Sequence, residues 1–532
     1  MNQDRSILQR HRAGYVPKGP ELLLARPGNL RVVEGEAPAC PDPDISGQFP
    51  HSSGKPVLTF RDGVEPVSTA ALRVGVVLSG GQAPGGHNVI AGLLDGLLAA
   101  HPDSKLFGFL AGPGGILRGE TVELTPEVVE PYRNTGGFDI IGSGRDKIEG
   151  DQQLQAAMNS CAELKLDGLV VIGGDDSNTN AAVMAEYFLA HGSRTSVIGV
   201  PKTIDGDLMN DWVEQSFGFD TATKVYSELI GNICRDAHSA KKYWHFIKLM
   251  GRSASHVTLE CAMQIRPDVT LIGEEVEAKG MTLRQVAGTV VDAVIRRAEA
   301  GRNYGVCLVP EGLIEFIPEV GVLIRRLNDL LAKHDADKVV GMLPADSAEV
   351  FKELPEGIAR QLLIDRDSHG NVQVSRIDTE KLLLELAAEQ VKGKVKFSSQ
   401  AHFFGYEGRC SAPSNFDADY TACLGRIAAV LLANGRTGYM CGVRQLSDPA
   451  TDWEPCAVPV TALLHTETRH GERKPVIEKA LVDLDGPVFQ AFARQRESWV
   501  LGDCYLFPGP IQFFGPAEVV DRSTATLQLR SV

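Results

Sequence analysis

The feature that most constrains the fold is a repeated alternation of strand-like and helix-like segments from residue 72 onward. Short runs of β-branched and aliphatic residues alternate with segments of helical periodicity. The predicted strands span 73–78, 106–110, 166–172, 196–200, 244–250, 269–272 and 306–309, and the predicted helices span 88–100, 178–191, 221–234, 255–264 and 283–300. Because strands joined by helical crossovers pair in parallel, this order predicts two α/β domains built on parallel sheets.

Size and composition are those of a soluble globular enzyme. The chain has 532 residues, of which 43% are hydrophobic and 23% charged, and no apolar stretch approaches the ~20 residues that span a bilayer. Residues 1–18 show neither the apolar core of a signal peptide nor the pattern of a transit peptide, so the expected location is the cytoplasm. The 10 cysteines include no C-x-x-C pair and are expected to be free thiols.

The net charge excludes some partners. At −15, with a pI near 5.4, the chain lacks the basic balance that nucleic acid or an anionic membrane would require. A small anionic substrate would need a local basic pocket, and basic residues do cluster between 235 and 252: Arg235, Lys241, Lys242, Lys248 and Arg252. The alternative interpretation of this cluster is a solvated helix face.

A doubled aspartate follows one predicted strand. Asp175 and Asp176 come after the apolar run 169–172 and two glycines, and the polar residues 177–180 begin the next helix. Such a turn offers backbone N–H groups to an anion, and an aspartate at the strand end can hold the metal that accompanies it. Because a second carboxylate beside a phosphate is repulsive, the pair requires a nearby cation. The pattern predicts a phosphate site.

The segment 201–207 supplies that cation. It places Lys202, Thr203, Asp205 and Asp207 in one loop at the carboxyl end of a strand, the edge where open α/β folds bind ligands. Phosphoryl transfer requires a metal, cations and a base for the attacking hydroxyl, and Asp175, Lys202 and Asp205 have the chemistry for these roles. Helix caps and Asx turns are the alternative explanation for the aspartates.

Two glycine-rich turns are weaker signals of the same site. Gly80 and Gly81 lie in the turn 79–88, where backbone amides can approach a ligand, and Arg145 follows the glycines of 142–144. Bidentate arginine is well matched to phosphate oxygens. An ordinary turn and an exposed surface arginine remain the alternatives.

Taken in order, six motifs resemble those of the phosphofructokinases, and specifically the long, pyrophosphate-dependent form related to the plant catalytic β subunit. The motifs are 78–88, 173–178, 201–207, 250–252, 310–312 and 406–409. The resemblance implies two Rossmann-like domains facing an active-site cleft, and reversible phosphoryl transfer from pyrophosphate to the 1-hydroxyl of fructose 6-phosphate, a step of glycolysis and gluconeogenesis. It also implies a site shared between subunits, and therefore a homodimer or a higher homo-oligomer.

The domain organisation predicted on this basis has four parts. Residues 1–71 are an N-terminal extension wrapped on the surface, and residues 72–235 form the pyrophosphate- and magnesium-binding domain. Residues 236–409 form the fructose 6-phosphate domain, with a helical insertion at about 319–390. Residues 410–532 return to the first domain and end in a tail.

The resemblance also implies residue roles. It assigns Mg²⁺ to Asp175 and the acceptance of the 1-hydroxyl proton to Asp205, with Lys202, Asp176 and Arg252 as further catalytic groups. The remaining substrate-binding positions that it implies are Gly80, Gly81, Arg145, Thr203, Ile204, Lys242, Tyr243, Met250, Gly251, Glu311, Tyr406, Glu407, Gly408 and Arg409. Among them, Tyr406 and Arg409 are assigned to the 6-phosphate, and Lys242 and Tyr243 to the same phosphate across a subunit boundary.

Donor choice depends on two positions. ATP-using relatives have glycine where this chain has Asp176 and Lys202. The Asp176 carboxylate would repel an α-phosphate, whereas the Lys202 ammonium can neutralise a phosphate leaving group. Pyrophosphate is therefore the predicted donor.

Three alternatives stay open at this point. An ATP-dependent phosphofructokinase is disfavoured by Asp176 and Lys202. A non-catalytic regulatory subunit, like the plant α subunit, is disfavoured by the intact 203–205 loop. A dinucleotide dehydrogenase is disfavoured because no G-x-G-x-x-G opens a helix after the first strand.

Overall fold

A computed structural model describes residues 7–25, 27–39, 42–65, 67, 70–366, 371–469, 472–509 and 523–530. These residues divide into two compact units. Among the described residues, the first unit draws on those within 7–222, 407–480 and 523–530, and the second on those within 223–406 and 481–509.

The strands that form the sheets are numbered here in chain order. They are β1 Arg31–Glu34, β2 Leu58–Arg61, β3 Arg73–Leu78, β4 Lys105–Phe109, β5 Thr121–Glu123, β6 Gly168–Gly173, β7 Ser196–Thr203, β8 Phe217–Gly218, β9 Trp244–Leu249, β10 Val269–Thr270, β11 Gly305–Pro310, β12 Ser399–Phe404, β13 Tyr439–Arg444, β14 Glu454–Pro459, β15 Leu464–Arg469 and β16 Glu472–Ile477.

The α-helices of the described residues are Ile7–Ala13, Glu21–Ala25, Pro43–Gln48, Gly86–Ala100, Pro113–Arg118, Pro126–Val129, Gly150–Glu163, Asp175–Ala190, Phe219–Ala240, His256–Ile265, Gly273–Ala278, Leu283–Glu299, Leu313–Phe316, Pro318–Leu331, Ala336–Val339, Ala345–Glu353, Glu356–Ile364, Thr379–Val391, Tyr406–Arg409, Asn415–Ala433, Pro487–Gly502 and Ala525–Arg530. None of them is long and apolar enough to cross a membrane.

The first unit is organised around one large mixed sheet with the strand order β1-β2-β14-β13-β7-β6-β3-β4-β5, in which β8 also pairs with β7. Its centre, from β13 through β7, β6 and β3 to β4, is parallel. Every residue of β6 is buried, as expected of a parallel strand covered on both faces. Parallel pairing brings the carboxyl ends of β3, β6 and β7 to one edge.

Two helices of this unit approach each other with almost no space between their backbones. A β-carbon at Gly92 would overlap the carbonyl oxygen of Ala422, and one at Gly425 would overlap that of Val89. The helices Gly86–Ala100 and Asn415–Ala433 can pack this closely only because the facing positions are glycine. The segment after residue 410 is thereby fixed against the helix that follows the first predicted strand.

The second unit contains a four-stranded, fully parallel sheet in the order β10-β11-β9-β12. The predicted insertion at 319–390 is indeed mostly helical, and Leu323 and Leu382 join the buried core with Phe246 of the sheet. A buried ion pair also joins the helical segment to strand β9. The Lys248 ammonium lies 3.4 Å from the Glu380 carboxylate and donates to the carbonyl of Ile377 at 2.9 Å.

The fold class is confirmed, and the predicted strands and helices of 73–309 all form, most of them with ends within two or three residues of the predicted ones. One expectation was wrong. Residues 1–71 are not only a surface wrapping, because β2 pairs antiparallel with β14 and β1 pairs antiparallel with β2, which extends the main sheet. Strands of four residues are too short to produce a recognisable periodicity.

The four predicted domain ranges stay a prediction, and the compact units divide the chain differently. The first boundary falls after residue 222, within the helix Phe219–Ala240, and residues 481–510 belong to the second unit. Helix Pro487–Gly502 is held there by Arg297, which donates to the carbonyl of Val500 at 2.7 Å and to Asp503 at 2.8 Å.

Candidate active site

The loops at the carboxyl edge of β3 and β6 are joined by buried hydrogen bonds. Ser177 donates to Ser79 at 2.8 Å, and the Asn178 amide donates to the carbonyls of Gly173 at 2.6 Å and Val200 at 3.3 Å. A side chain that bonds the ends of two strands fixes their relative position. The start of the helix Asp175–Ala190, and with it both aspartates, is held against the sheet.

Lys202 is the buried cation of this edge, with 6% of its surface exposed. Burial, together with the nearby Arg409 guanidinium, lowers the pKa of its ammonium to about 8, whereas Asp205 and Asp175 act in the opposite direction. The ammonium also faces the donor loop, since a β-carbon at Gly80 would lie 3.5 Å from Nζ. The structure thus brings together Lys202, Asp175, Asp205 and Gly80, as the sequence predicted.

The loop after Lys202 carries two carboxylates, Asp205 and Asp207, of which Asp207 is buried. The backbone N–H of Asp205 donates to Thr203 Oγ1 at 3.1 Å, a local turn, and Ile204 is buried beneath it. Asp207 is buried, and its burial together with the neighbouring Asp205 carboxylate raises the pKa of Asp207 to about 7. Two carboxylates held this close in a poorly solvated place create a demand for positive charge.

Part of that charge comes from Lys479, which the sequence analysis did not identify. Its ammonium lies 3.5 Å from Asp175 and 3.9 Å from Asp207. Lys479 follows the hairpin of β15 and β16, far from the motifs along the chain. The only sequence pattern near it is the alternating strand that ends two residues earlier, and such a strand by itself does not indicate a binding site.

Asp176 lies in the first helical turn with 58% of its side chain exposed, and its carboxylate is 3.6 Å from the Lys147 ammonium. Lys147 is a second residue that the sequence analysis did not identify, although it lies only two positions after Arg145. The carboxylate therefore has Lys147 as a cationic neighbour and stays more than half exposed.

Arg409 lies against the donor loop. A β-carbon at Gly81 would overlap the Arg409 guanidinium, and Arg409 Nε donates to the carbonyl of Gln82 at 3.3 Å. The Arg145 turn is paired with the same loop, because Gly80 donates to the carbonyl of Gly144 at 2.8 Å. Lys202 is near enough to both guanidiniums for each to lower its pKa. In this unit, three cationic side chains therefore lie near one another at one edge of the sheet: Lys202, Arg409 and Arg145.

The second unit brings a different set of predicted residues together, at the carboxyl edge of β9, β11 and β12. The backbone N–H of Gly251 donates to the buried Glu311 carboxylate at 3.0 Å, and a β-carbon at Gly312 would overlap the carbonyl oxygen of Arg252. Gly251 has φ = +133°, a conformation that favours glycine. Met250 lies against Gly405, where a β-carbon would be 2.8 Å from its Cε.

Five other predicted residues flank two of these strands, with two before β9 and three after β12. Lys242 and Tyr243 precede β9, whereas Met250 follows it, and six residues of strand span roughly 20 Å. Tyr406 and Glu407 are exposed, and the boundary between the two units runs between them. Gly408 is buried in the same short helix.

No set of three or more His, Cys, Asp or Glu side chains in the described ranges is arranged as a ready-made metal site. Mg²⁺ does not need one, because it is usually held by one or two carboxylates together with substrate phosphates and water. Asp175 has the donor chemistry for such a site. The Lys479 ammonium already lies within 4 Å of Asp175 and of the nearby Asp207.

Comparison with known proteins identifies the family. The chain matches the phosphofructokinase family over residues 73–432. It is 50% identical to a pyrophosphate–fructose 6-phosphate 1-phosphotransferase of Porphyromonas gingivalis, over 99% of each chain. It is 51% identical to the subunit beta 2 of this enzyme in Arabidopsis thaliana, over 91% of this chain and 88% of that one.

A solved structure described as a pyrophosphate-dependent phosphofructokinase from Marinobacter aquaeolei is also similar, with a TM-score of 0.55 and 16% identity over 83% of this chain and 94% of that one. At this identity the likeness supports the fold alone. Family, fold and the order of the motifs agree, and the chain belongs to the phosphofructokinase family.

Proposed function

We propose that this chain catalyses reversible phosphoryl transfer from pyrophosphate to the 1-hydroxyl of fructose 6-phosphate, giving fructose 1,6-bisphosphate and phosphate. The single observation that carries the donor assignment is the buried Lys202 ammonium, which faces the Gly80 turn and interacts with Asp175 and Asp205. The names of relatives about 50% identical over nearly the whole chain support the same reaction.

Donor selection follows from charge and space. A buried ammonium stabilises negative charge more strongly than one in water, and the charge that grows on a phosphate leaving group is of that kind. The Asp176 carboxylate, held in the first helical turn, would repel the α-phosphate of a nucleotide. These two residues favour pyrophosphate over ATP as donor.

Asp205 is the proposed base for the 1-hydroxyl. Its backbone N–H is bonded to Thr203 Oγ1, which holds the loop, and its carboxylate lies near the Lys202 ammonium. A positioned carboxylate can accept the proton of the attacking hydroxyl as the phosphoryl group transfers, while Lys202 neutralises charge on the departing phosphate. Arg409 and Arg145 add positive charge on the donor loop.

Mg²⁺ is the proposed cofactor, with Asp175 as its protein ligand. Asp175 would hold the ion, which would supply positive charge to offset that of the phosphates. In the second unit, Met250, Gly251, Arg252 and Glu311 are the proposed contacts for the sugar phosphate. Glu311 both accepts from Gly251 and limits the conformations of this loop.

We further propose that the chain is a cytoplasmic homo-oligomer, with Lys242 and Tyr243 serving a neighbouring subunit. Their separation from Met250 along β9 supports a role away from their own subunit's loop. The naming of the plant relatives as subunits raises heteromers as an alternative assembly.

A steady-state assay of the purified chain with fructose 6-phosphate, Mg²⁺ and either pyrophosphate or ATP tests the proposal. We expect kcat/KM for pyrophosphate to exceed that for ATP by at least about 100-fold. A preference for ATP would refute the donor assignment. Activity with neither donor in the chain alone would instead favour the non-catalytic subunit.

A further inference from the structure

We infer that Lys479 is a donor-binding residue: its ammonium holds the place of a cation between Asp175 and Asp207 and is a contact for pyrophosphate. This inference rests on the proposed function and adds to it a group outside the phosphofructokinase motifs. It begins with the distances of 3.5 Å to Asp175 and 3.9 Å to Asp207.

The backbone on both sides of Lys479 is fixed to the site. Before it, Ile477 donates to Thr179 Oγ1, in the helix that carries Asp175, at 3.2 Å. After it, Ala480 donates to the carbonyl of Asp207 at 2.8 Å. A lysine on a free loop samples many positions, whereas one between two such anchors is delivered to a single place at lower entropic cost.

The hairpin that carries Lys479 is itself held in the first unit. Its strands β15 and β16 pair along their length, and the backbone N–H of Glu478 donates to the carbonyl of Leu463 at 3.3 Å. Val476 and Ile477 are buried, whereas Lys479 keeps 36% of its side chain exposed. The hairpin thus supplies a rigid base, and the ammonium at its end stays accessible to a ligand.

The charge around Asp175 and Asp207 decides what the ammonium does there. The Asp205 carboxylate is a further negative neighbour of Asp207, so an added cation is favourable beside the two carboxylates that Lys479 contacts. Lys479 and a divalent cation both seek these carboxylates, and each weakens the affinity of the other. A phosphate bound through the metal would bring negative charge close to Asp175 and Asp207. The Lys479 ammonium would then interact with that phosphate, which carries more charge than a carboxylate.

The inference therefore predicts two effects of opposite sign. Removing the ammonium tightens binding of a divalent cation in the absence of donor, since the carboxylates lose their competitor. The same change weakens binding of pyrophosphate, since the donor loses a charged contact. An ion pair with only a structural role would not give these opposite effects, because its loss would weaken the binding of the divalent cation and of pyrophosphate alike.

The test uses the full chain and three variants. Lys479→Met removes the charge, Lys479→Arg retains it, and Lys474→Met is the matched control. Lys474 lies on the same hairpin, in strand β16, and its ammonium is 3.3 Å from Glu149 rather than from the aspartates. Lys479→Gln repeats the neutral change if the methionine variant does not fold, as judged by circular dichroism and thermal unfolding.

Two measurements are needed. Binding of Mn²⁺ alone, followed by electron paramagnetic resonance, is expected to tighten about three- to tenfold in Lys479→Met. The KM for pyrophosphate is expected to rise about tenfold or more while that for fructose 6-phosphate stays within about twofold. Lys479→Arg should keep the pyrophosphate KM within about threefold, and Lys474→Met should leave both measurements unchanged.

The inference is overturned if Lys479→Met leaves Mn²⁺ binding unchanged or weaker, or if the two KM values rise equally. Calorimetric titration of the chain with magnesium pyrophosphate, without sugar phosphate, separates this failure from that of the proposed function. A wild-type chain that does not bind pyrophosphate refutes the proposed function. A wild-type chain and a Lys479→Met variant that bind it equally refute only the role of Lys479.

Discussion

The two units build their candidate subsites by different means. In the first unit, charged side chains lie at the edge of the sheet, and the pKa of Lys202 responds to Arg409, Asp205 and Asp175 as well as to burial. In the second unit, the loop 250–252 is shaped by close backbone approach, with glycine at 251 and 312 and one carboxylate bonded to an N–H.

The difference indicates what each unit has to recognise. A donor consisting only of phosphates offers charge and little shape, and a set of fixed ionic groups is suited to it. A sugar phosphate also offers hydroxyl groups at defined positions, which require a defined surface. We therefore expect substitutions in the first unit to act through charge and those in the second to act through space.

The largest effect is expected for Asp205→Ser, which removes the proposed base. We expect kcat to fall about 10²- to 10⁴-fold with little change in either KM, because binding does not depend on proton acceptance. Steady-state kinetics in both directions, with Asp448→Ser as a control at an exposed aspartate of the same unit, provides the check. A variant that retains kcat would remove Asp205 from this role.

Gly312→Ala tests the role of space in the second unit. The added methyl group would overlap the carbonyl oxygen of Arg252, so the loop has to shift, at a cost of ~1–3 kcal/mol. We expect kcat/KM for fructose 6-phosphate to fall about 10- to 100-fold while the pyrophosphate KM changes little. Gly357→Ala is the matched control, because a β-carbon there meets nothing within 4 Å. Equal losses in both variants would show that space at 312 is unimportant.

Arg409→Ala tests the comparison at a residue that belongs to one subsite by resemblance and lies beside the other in the structure. Loss of a charge-assisted contact costs roughly 1.5–3 kcal/mol, and we expect most of it in the KM for fructose 6-phosphate. A smaller rise in the pyrophosphate KM should accompany it, because the guanidinium lies against Gly81. If the pyrophosphate KM rises more, Arg409 belongs to the donor subsite.

The smallest effect is expected for donor selection. Asp176→Gly should admit weak use of ATP, raising the ratio of kcat/KM for ATP over pyrophosphate about tenfold, whereas Lys202→Gly should chiefly impair the pyrophosphate reaction. The double variant should shift the ratio further, with coupling if both residues contact the same phosphate. A ratio that does not move in Asp176→Gly would contradict the exclusion argument.

Several features of this protein were determined by the sequence itself. The alternation of strand and helix patterns predicted β3, β4, β6 and β7 of the first sheet and β9, β10 and β11 of the second, because hydrophobic periodicity is local and each strand carries it independently. It did not predict the parallel strands β12 and β13. Asp175 and the 202–207 loop were expected at one edge because carboxyl ends of neighbouring parallel strands meet there, and Asp175 does act on Lys202. When a motif lies at the end of a strand, the order and direction of the strands in the sheet predict where that motif lies in the structure.

Tertiary structure alone decided which distant residues complete the edge. Lys479 reaches Asp175 and Asp207 from a hairpin near the end of the chain, and the short strands β1 and β2 join a sheet whose centre begins at residue 73. Neither follows from a local pattern, because an ion pair or an edge pairing depends on where packing brings two segments, and many lysines and short strands have the same local sequence properties. Charge complementarity selects the partner only after the fold has brought the groups within a few ångströms of each other.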